Sequence, residues 1–374
     1  MERGNLTGIY IHIPFCLRKC PYCDFFSVPY ESEICKDYLR ALKAQISSFG
    51  HGLADTVYFG GGTPSLLSAA QVDEILETVG AHFSLTADCE ITLELNPATA
   101  SPEKLRAYKS AGINRLSVGV QSTNDSVLRA IGRLHSSREA LDTLAHAKRA
   151  GFDNISADLM LALPCDSEAS LSKSIDDICG SEVSHVSAYL LTLMDNTPFG
   201  RCPPTGLPDD DMQADVYMSA VSRLAAHGLF QYEISNFAKP ERKSRHNLKY
   251  WNCSDYLGFG AAAHSSLGKK RYSMKPNIDS FISLSSAFSS ENPLRFFDLE
   301  GNVTAEDFIM MRLRTSDGLS LAELQSGFAA SLTDEMLAFV RHCASSELLC
   351  FDGDVIALTQ KGMLVSNSII SELI

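Results

Sequence analysis

Six strand-like runs, each followed by a helical stretch, constrain the fold of this chain more than any other feature of its sequence. The runs cover residues 8–14, 56–59, 90–95, 115–121, 154–163 and 185–193. Strands that alternate with helices form parallel sheets, because each helix carries the chain back to the start of the next strand. A closed eight-unit barrel would need two more units, and the pattern stops near Met194. The sequence therefore predicts an α/β fold built on an incomplete (β/α)6 barrel.

One face of these predicted strands is unusually polar. In the third run Leu93 and Leu95 share one face, and Glu94 lies on the other. The same alternation places further polar side chains on the second face, namely Tyr10, His12, Thr92, Asn96, Ser117, Gln121, Ser156 and Asp158. The aliphatic face is expected to contact the helices, which leaves the polar face in the lumen, where an ordinary barrel has branched aliphatic residues. A polar lumen implies a ligand.

Three cysteines follow the first run on one short loop, with the spacing Cys-x3-Cys-x2-Cys: Cys16, Cys20 and Cys23. Pro14 and Pro21 prevent the segment from continuing as a helix, so the thiols can converge. Three thiolates hold an iron–sulfur cube and leave its fourth iron open. Two other interpretations compete: part of a structural zinc site, although zinc sites usually pair two Cys/His knuckles, or small packing residues.

A glycine-rich turn, Gly60, Gly61 and Gly62 followed by Thr63, comes directly after the second run. Barrel enzymes build their active sites at such strand ends. Glycines allow backbone amides to approach a ligand, but a plain tight turn would use the same residues.

Composition excludes several classes of protein. The 374 residues are 45% hydrophobic, which is enough for one large α/β domain and a smaller one. A formal net charge of −13 argues against nucleic acid as the main partner. Eleven cysteines, without a signal peptide or an apolar run near twenty residues, indicate a reducing compartment, so we expect a soluble cytoplasmic protein.

The cysteine spacing resembles the signature of the radical SAM superfamily, and the following strands resemble its oxygen-independent coproporphyrinogen III oxidase branch. The resemblance implies a [4Fe–4S] cluster on Cys16, Cys20 and Cys23, S-adenosylmethionine (SAM) on the open iron, and an electron donor for the cluster. It also implies that the glycine-rich turn meets the methionyl amino group. Carried over position by position, the residues implied to contact SAM are Tyr10, Tyr22, Glu94, Gln121, Arg133 and Asp158. One departure is Ala162-Leu-Pro-Cys165, where relatives often read Gly-Leu-Pro-Gly.

The last third contains a basic loop, residues 239–249, that runs into His246, Asn247, Tyr250 and Trp251. His and Tyr can ligate haem iron, aromatic faces can stack on a macrocycle, and Lys or Arg can meet propionates. A structural interpretation, with aromatics closing the barrel and basic side chains in water, is equally compatible with these residues.

The motif His-Asn-x-x-Tyr-Trp, followed by a segment ending at His264, is similar to that of HemW-type haem chaperones, which share the oxidase fold. The resemblance implies that haem is a ligand, with His246, Tyr250 or His264 as the ligating residue, and that the partner is a haem-acceptor protein. Membrane contact would come only through such an acceptor, and a homodimer is also compatible with the sequence. Phe25 stands where the oxidases carry a further cysteine, and only nine residues precede Tyr10, where the oxidases have an N-terminal extension.

From Thr304 onward, three helices and two short strands predict a winged-helix-like C-terminal domain. Ten carboxylates against four Lys/Arg in this part would repel DNA. By analogy with the oxidases, the domain is expected to cover the barrel mouth. The predicted boundaries are 1–200 for the barrel with its cluster loop at 16–23, 201–300 for a barrel extension with the haem motif, and 301–374 for the C-terminal domain.

Three functions are compatible with the sequence. The first is a haem chaperone that binds a cluster, SAM and haem and transfers haem to acceptors. The second is an oxygen-independent coproporphyrinogen III oxidase, which would make the chain an enzyme; Phe25 and the short N-terminus disfavour it. The third is a non-catalytic, metal-stabilised interaction protein.

Overall fold

The computed structural model describes residues 6–50 and 52–374. Its strands are β1 (Thr7–Ile13), β2 (Phe15–Cys16), β3 (Val28–Pro29), β4 (Gly52–Gly61), β5 (Phe83–Leu95), β6 (Arg115–Gln121), β7 (Asn154–Leu161), β8 (His185–Leu190), β9 (Phe230–Gln231), β10 (Asn236–Ala238), β11 (Tyr256–Phe259), β12 (His264–Leu267), β13 (Lys270–Ser273), β14 (Asp298–Asn302), β15 (Leu319–Ser320), β16 (Leu349–Phe351) and β17 (Val355–Leu358).

Its α-helices are α1 (Ser32–Ser47), α2 (Ala69–His82), α3 (Pro102–Ser110), α4 (Asp125–Ala130), α5 (Ser137–Arg149), α6 (Glu168–Gly180), α7 (Pro198–Arg201), α8 (Asp210–Ala226), α9 (Arg245–Trp251), α10 (Ile278–Ser283), α11 (Ala305–Arg312), α12 (Leu321–Phe328), α13 (Asp334–Ser345), α14 (Gln360–Leu364) and α15 (Ser366–Ser371). Short side chains cap many of them. Ser68 and Ser136, for example, form capping boxes with Gln71 and Glu139 at the starts of α2 and α5.

Six parallel strands form the centre of the main sheet, in the order β1-β4-β5-β6-β7-β8. Each of the six coincides with one of the predicted runs. The β10-β9 hairpin extends the sheet beyond β8, and β11 pairs in parallel with β1, followed by β12, β13 and β14. Among the strands of the described residues, no pairing joins the two edges, so the incomplete barrel is confirmed.

The two faces of the barrel strands differ as the alternation predicted. Ile9, Ile11 and Ile13 of β1 are fully buried and belong to one apolar cluster with Tyr38 and Leu42 of α1. Val118 and Val120 of β6 and Leu93 and Leu95 of β5 join the same cluster. Their polar neighbours along the strands face inward.

The C-terminal part has an apolar core of its own. The three-stranded antiparallel sheet β15-β17-β16 packs with α11 to α13 around Leu313, Leu324, Val340 and Ile356. The predicted winged-helix-like domain is therefore confirmed, with β15, α14 and α15 added to the expected elements.

This domain packs on the side of the sheet that carries α9 and β13. Arg271 of β13 forms an ion pair with Asp307 of α11 at 3.0 Å, and Arg312 donates to the side chain of Asn252, just after α9. The expectation that the domain covers the barrel mouth is wrong for this structure, because no described residue beyond Asn247 lines the pocket there. Within residues 6–50 and 52–374, no helix is both long and apolar enough to span a bilayer.

Candidate functional site

The three cysteines lie at the mouth of a pocket of about 600 Å³, at the carboxyl ends of the barrel strands. The two-residue strands β2 and β3 pair across the base of their loop and hold it closed. The backbone N–H of Val28 donates to the carbonyl of Pro14 at 2.7 Å. The backbone N–H of Tyr30 donates to the carbonyl of Cys16 at 3.0 Å. Cys16, Cys20 and Cys23 all line the pocket.

Hydrogen-bond donors already point at two of the three sulfur atoms. The Thr63 hydroxyl donates to Cys16 Sγ at 3.5 Å, and the Arg133 guanidinium donates to Cys20 Sγ at 3.8 Å. The pKa of Cys23 is raised to about 11, mainly by burial and in smaller part by the neighbouring Cys20 and Cys16. A metal centre binds cysteine as thiolate, so cluster binding would release the proton of Cys23.

The geometry bears on the zinc interpretation. Among the described residues, no group of three His, Cys, Asp or Glu side chains could hold one metal ion. A four-iron cube instead binds each thiolate at a separate corner, so its ligands need not converge on one point. The spacing of the three thiols therefore fits a cluster better than a single zinc ion.

The glycine-rich turn forms one wall of the pocket, but its amides are already used. Gly61 N–H donates to Glu94 Oε2 at 3.2 Å, Gly62 N–H to the carbonyl of Ile13 at 2.9 Å, and Thr63 N–H to that of Phe15 at 2.8 Å. A Cβ at Gly62 would lie 2.7 Å from the Phe15 carbonyl oxygen. Close packing against the first strand and its loop thus explains these glycines, rather than amides left free for a ligand.

Two carboxylates face each other across the lumen. Glu94, near the end of β5, accepts the Tyr58 hydroxyl at 2.9 Å, and Asp158 of β7 accepts the Ser117 hydroxyl at 3.0 Å. Burial raises the pKa of Glu94 to about 7, and the charge of Asp158 adds to that shift. Burial also raises the pKa of Asp158 to about 6. Both groups therefore lose their protons near neutral pH, and a cationic ligand would favour their ionised forms.

Gln121 and Arg133 complete the wall opposite the glycines. Gln121 has a left-handed backbone with φ of 68° and accepts the Tyr189 hydroxyl at 3.1 Å. Such a conformation is costly for a residue other than glycine and is common at functional sites. Arg133 donates to the Gly119 carbonyl at 2.7 Å, and its buried Nε has no partner. A guanidinium that lines a pocket is suited to an anionic group of a ligand.

Sequence reasoning missed Arg115 in this pocket. The side chain is 1% exposed, its Nε has no partner, and it lies within 4.0 Å of no carboxylate oxygen of the described residues. Arg115 shares one face of β6 with Ser117, Gly119 and Gln121. The same alternation that identified Gln121 therefore contained the signal. Tyr58, Ser187 and Tyr189 also line the pocket and were not predicted.

The haem motif lies elsewhere. Residues 245–251 form the helix α9, capped by Ser244, and not a loop. His246 is fully buried: its Nδ1 is 2.8 Å from the Thr56 hydroxyl and its Nε2 is 2.9 Å from the Tyr250 hydroxyl. Burial lowers the pKa of His246 to about 3. Both ring nitrogens are engaged, so in this arrangement neither is available to an iron ion.

The helix closes the amino-terminal end of the barrel. The His246 ring stacks on those of Tyr58 and Tyr10, with centroid distances of 5.1 and 6.3 Å. Asn247 reaches the lining of the pocket from this side, whereas Tyr10, Gly60, His246, Tyr250 and Trp251 are not part of that lining. The positions of these aromatic residues therefore agree with the interpretation in which they close the barrel.

The basic residues of the motif are paired with acids. Lys249 Nζ lies 2.7 Å from Asp55, and Arg245 lies 3.1 Å from Asp88 and 3.6 Å from Asp55. These cations are not free for the propionates of a ligand. His264, in contrast, is exposed on β12, 3.4 Å from Glu300.

Comparison with known proteins identifies the family. Family models for the radical SAM superfamily and the HemN C-terminal domain match residues 10–178 and 299–365. "Heme chaperone HemW" from Bacillus subtilis (strain 168) is 33% identical over 375 residues, or 97% of this chain and 98% of the relative. This chain belongs to the HemW family of radical SAM proteins. "Heme chaperone HemW" from Escherichia coli (strain K12) is 40% identical over 265 residues, or 69% of each chain.

The HemW-family chain shares its fold with a solved enzyme structure. Coproporphyrinogen III oxidase (HemN) from Escherichia coli, a radical SAM enzyme, superposes with a TM-score of 0.83 at 22% identity, covering 99% of this chain and 90% of the enzyme. At that identity the likeness establishes the fold and leaves the chemistry open.

Radical SAM membership implies a [4Fe–4S] cluster and SAM, and the residues of this HemW-family chain fit both groups. Three thiols with two donors aimed at their sulfurs suit a cluster, and the lumen offers two carboxylates and an unpartnered guanidinium nitrogen to a zwitterion such as SAM. Beside the pocket, Ala162 and Cys165 keep left-handed backbones, with φ of 58° and 63°. The turn therefore retains a glycine-like shape without glycine.

Proposed function

We propose that this chain is a haem chaperone that binds a [4Fe–4S] cluster, SAM and haem and transfers the haem to an acceptor protein. One observation carries the proposal: three thiols and a set of polar side chains line one pocket in a chain that resembles "Heme chaperone HemW" of Bacillus subtilis over almost its whole length. An electron donor that reduces the cluster would be a second partner.

Cys16, Cys20 and Cys23 would ligate the cluster. When bound and reduced, the cluster supplies an electron that can cleave the sulfonium of SAM. Thr63 and Arg133 donate to two of the sulfurs, which stabilises the thiolate form and holds the side chains in place.

The lumen side chains would bind SAM. Glu94 would accept from the methionyl ammonium, and the guanidinium of Arg133, which lines the pocket, would donate to the carboxylate. Asp158 and Gln121 would bond the ribose hydroxyls, and Tyr22 would shield the site from water. Further residues line or support the site, namely Tyr10, Gly60, Gly61, Gly62, Thr63 and Asn247. Tyr10 acts from outside the lining, with its hydroxyl 3.0 Å from Nδ1 of His12.

The domain boundaries at about residues 200 and 300 are part of this proposal. The apolar cluster that begins at Ile9 continues to Phe297, and a separate cluster begins at Phe308. Residues 201–300 therefore act as an extension of the barrel, and residues 301–374 as a domain of their own.

The second candidate is oxidative decarboxylation of coproporphyrinogen III. One observation favours it: every side chain carried over from the oxidases for SAM contact, apart from Tyr10, lines the same pocket. Phe25 disfavours it, because this exposed aromatic side chain at the mouth stands where the oxidases carry a cysteine.

One experiment separates the two candidates. Cluster-loaded protein is titrated with haem under strict anoxia, and the same samples are assayed with coproporphyrinogen III, SAM and a reductant for vinyl products. The chaperone function predicts stoichiometric haem binding, haem transfer to an apo-acceptor protein and no decarboxylation. Decarboxylation without haem binding would contradict it and favour the oxidase.

A further inference from the structure

Three segments at the carboxyl end of the barrel carry exposed large apolar side chains. They are the cysteine loop, residues 16–27, the connection between α4 and α5, residues 131–136, and the segment after β8, residues 191–196. We call these three segments the mouth face. Between 36% and 62% of each of the following side chains is exposed: Leu17, Phe25, Leu134, Leu193 and Met194. A group of exposed apolar side chains commonly marks an interaction surface.

Direct contacts hold the three segments together. The Arg18 side chain donates to the Gly132 carbonyl at 2.5 Å, which joins the first segment to the second. Tyr22 of the cysteine loop packs against an apolar cluster that contains Ile131 and Leu191, one residue from each of the other two segments. The mouth face is therefore one continuous surface, and the three cysteines lie within it.

The mouth face is positively charged although the chain as a whole is acidic. Arg18, Lys19 and Arg133 carry its positive charges, and Asp24 and Asp195 carry its negative ones. Arg18 and Lys19 are both exposed, and among the described residues no carboxylate oxygen lies within 4.0 Å of their side-chain nitrogens. These two adjacent cations are open to acidic groups of a partner, whereas the net charge of −13 disfavours an acidic partner elsewhere on the chain.

We propose that the mouth face is the docking surface for the electron donor of the cluster, and that this donor is a small acidic protein. The inference rests on the proposed function, which includes a reducible cluster on Cys16, Cys20 and Cys23. An electron passes between two proteins only over a short distance, and these partly exposed cysteines lie within the mouth face. In the docked complex the donor loses one electron and the cluster gains it, so no bond forms or breaks.

The mouth face fits an electron carrier better than it fits a second copy of this chain. Two copies docked through the same face would place the cations of both against each other, which disfavours the pair. An electron carrier must leave after each transfer, and such encounters use small interfaces. Five exposed apolar side chains beside two free cations provide an interface of that kind.

The test uses a flavodoxin, which is a small acidic flavin protein, as the probe. Its dissociation constant and the rate constant with which its reduced form reduces the cluster are measured under anoxia. Dithionite, a small reductant that needs no docking surface, is measured in parallel. Two variants alter the mouth face: Arg18→Glu/Lys19→Glu within the cysteine loop, and Leu134→Ser/Met194→Ser outside it.

Each variant has a matched control. Lys148→Glu/Arg149→Glu makes the same change of charge at the end of α5, which leads to the amino end of β7 and so lies at the opposite end of the barrel. Leu299→Ser removes an apolar side chain that is 61% exposed on β14 and outside the pocket lining. Iron and sulfide are measured in every sample, so that only proteins with equal cluster loading are compared.

We expect each variant of the mouth face to weaken flavodoxin binding and to lower the rate constant of cluster reduction by flavodoxin about tenfold. The rate constant with dithionite should not change, and both controls should behave as the wild type does. The defect of the charge variant should shrink as the salt concentration rises, because salt screens the attraction between the two proteins.

Wild-type rate constants in both variants would overturn the docking surface and leave the chaperone function intact. If the same variants also converted a dimeric wild type into monomers, the mouth face would instead join two copies of the chain. A wild type that dithionite reduces and flavodoxin does not would overturn the docking surface as well, and so would equal losses with both reductants. Failure of the wild type to bind haem in the same samples would overturn the proposed function itself.

Discussion

The two ends of the barrel contain the same kinds of side chains in opposite states of hydrogen bonding. At the carboxyl end, Arg133 keeps a buried nitrogen without a partner, and Glu94 and Asp158 line one cavity. At the amino end, His246 uses both ring nitrogens, and Lys249 is paired with Asp55. Buried polar groups are normally satisfied within the protein, so an unsatisfied set indicates a ligand and a satisfied set indicates architecture.

The difference shows that side chains able to bind a ligand can instead form part of the architecture. His-Asn-x-x-Tyr-Trp contains groups that can bind haem, yet the helix that carries them forms a closed end of the barrel. In this structure the helix α9 closes the amino-terminal end of the lumen, and Asn247 is its one residue in the pocket lining.

The largest effect should come from the cluster loop. Cys20→Ala removes one of three thiolates, so we expect near-complete loss of iron and sulfide after anaerobic reconstitution. Cys350→Ala is the control, because Cys350 is exposed on β16, remote from the loop. Iron and sulfide analysis of both variants decides the matter. Full iron content in the Cys20 variant, or zinc in the wild type, would break the assignment of the open end as a cluster site.

The second-largest effect should come from the glycine-rich turn that forms one wall of the pocket. Gly62→Ala puts a Cβ 2.7 Å from the Phe15 carbonyl oxygen and 2.9 Å from that of Ile13, which are both backbone atoms that cannot rotate away. We expect a loss of about 1–3 kcal/mol in the free energy of unfolding. Gly80→Ala is the matched control, since its Cβ would meet nothing within 4 Å in α2; it should stabilise by about 0.5–1 kcal/mol. Denaturant titration measures both, and equal effects of the two variants would contradict the packing explanation.

Substitutions at the amino-terminal end of the barrel should change the free energy of unfolding. His246→Gln disrupts a buried pair of hydrogen bonds, so we expect a loss of about 1–3 kcal/mol without any ligand present. The pKa of His246 is lowered to about 3 in the fold, against an ordinary value of 6.5. Between these values the unfolded chain binds more protons, so this histidine's contribution to stability is complete above pH 6.5 and is lost as pH falls towards 3.

Unfolding measured across that pH range should therefore be less pH-dependent in His246→Gln than in the wild type. Tyr58→Phe is a useful comparison, because it removes a hydroxyl from the pocket side of the same aromatic stack without a group that titrates in this range. If His246→Gln were as stable as the wild type but lost haem binding, the assignment of the two ends would have to be reversed.

The smallest effect concerns Arg115, which lies between the two ends. Its positive charge lowers the pKa values of both Glu94 and Asp158, against the burial that raises them. Ionised Glu94 should bind the SAM ammonium, so the affinity of the wild type for SAM should rise with pH through about 7. In Arg115→Leu we expect that rise at higher pH, with binding severalfold weaker at pH 7, because the charge that favours ionised Glu94 is lost.

Equilibrium SAM binding against pH measures this shift. Arg115→Lys should restore the wild-type profile, because it returns the charge without the guanidinium. Equal weakening at every pH would mean that Arg115 acts only through packing.

The amino-acid sequence alone predicts the fold and the polar lumen residues that lie on strands. Alternation with a period of two separates Leu93 from Glu94 whatever the tertiary contacts are, so the inward-facing polar residues could be read directly. The spacing of Cys16, Cys20 and Cys23 likewise depends only on one short loop. Arg115 follows the same alternation from the first position of β6.

Which of the remaining polar groups are free depends on contacts between distant parts of the chain. Whether His246 faces a ligand depends on Thr56 and Tyr250, and whether Lys249 can reach a propionate depends on Asp55. Thr56 and Asp55 are about 190 residues away along the chain, and no local pattern reveals such partners. The position of the C-terminal domain away from the mouth has the same origin, since it depends on contacts such as the ion pair of Arg271 with Asp307. Hydrogen bonding and burial are properties of the assembled fold, and they separate a residue that could bind a ligand from one that is placed to do so.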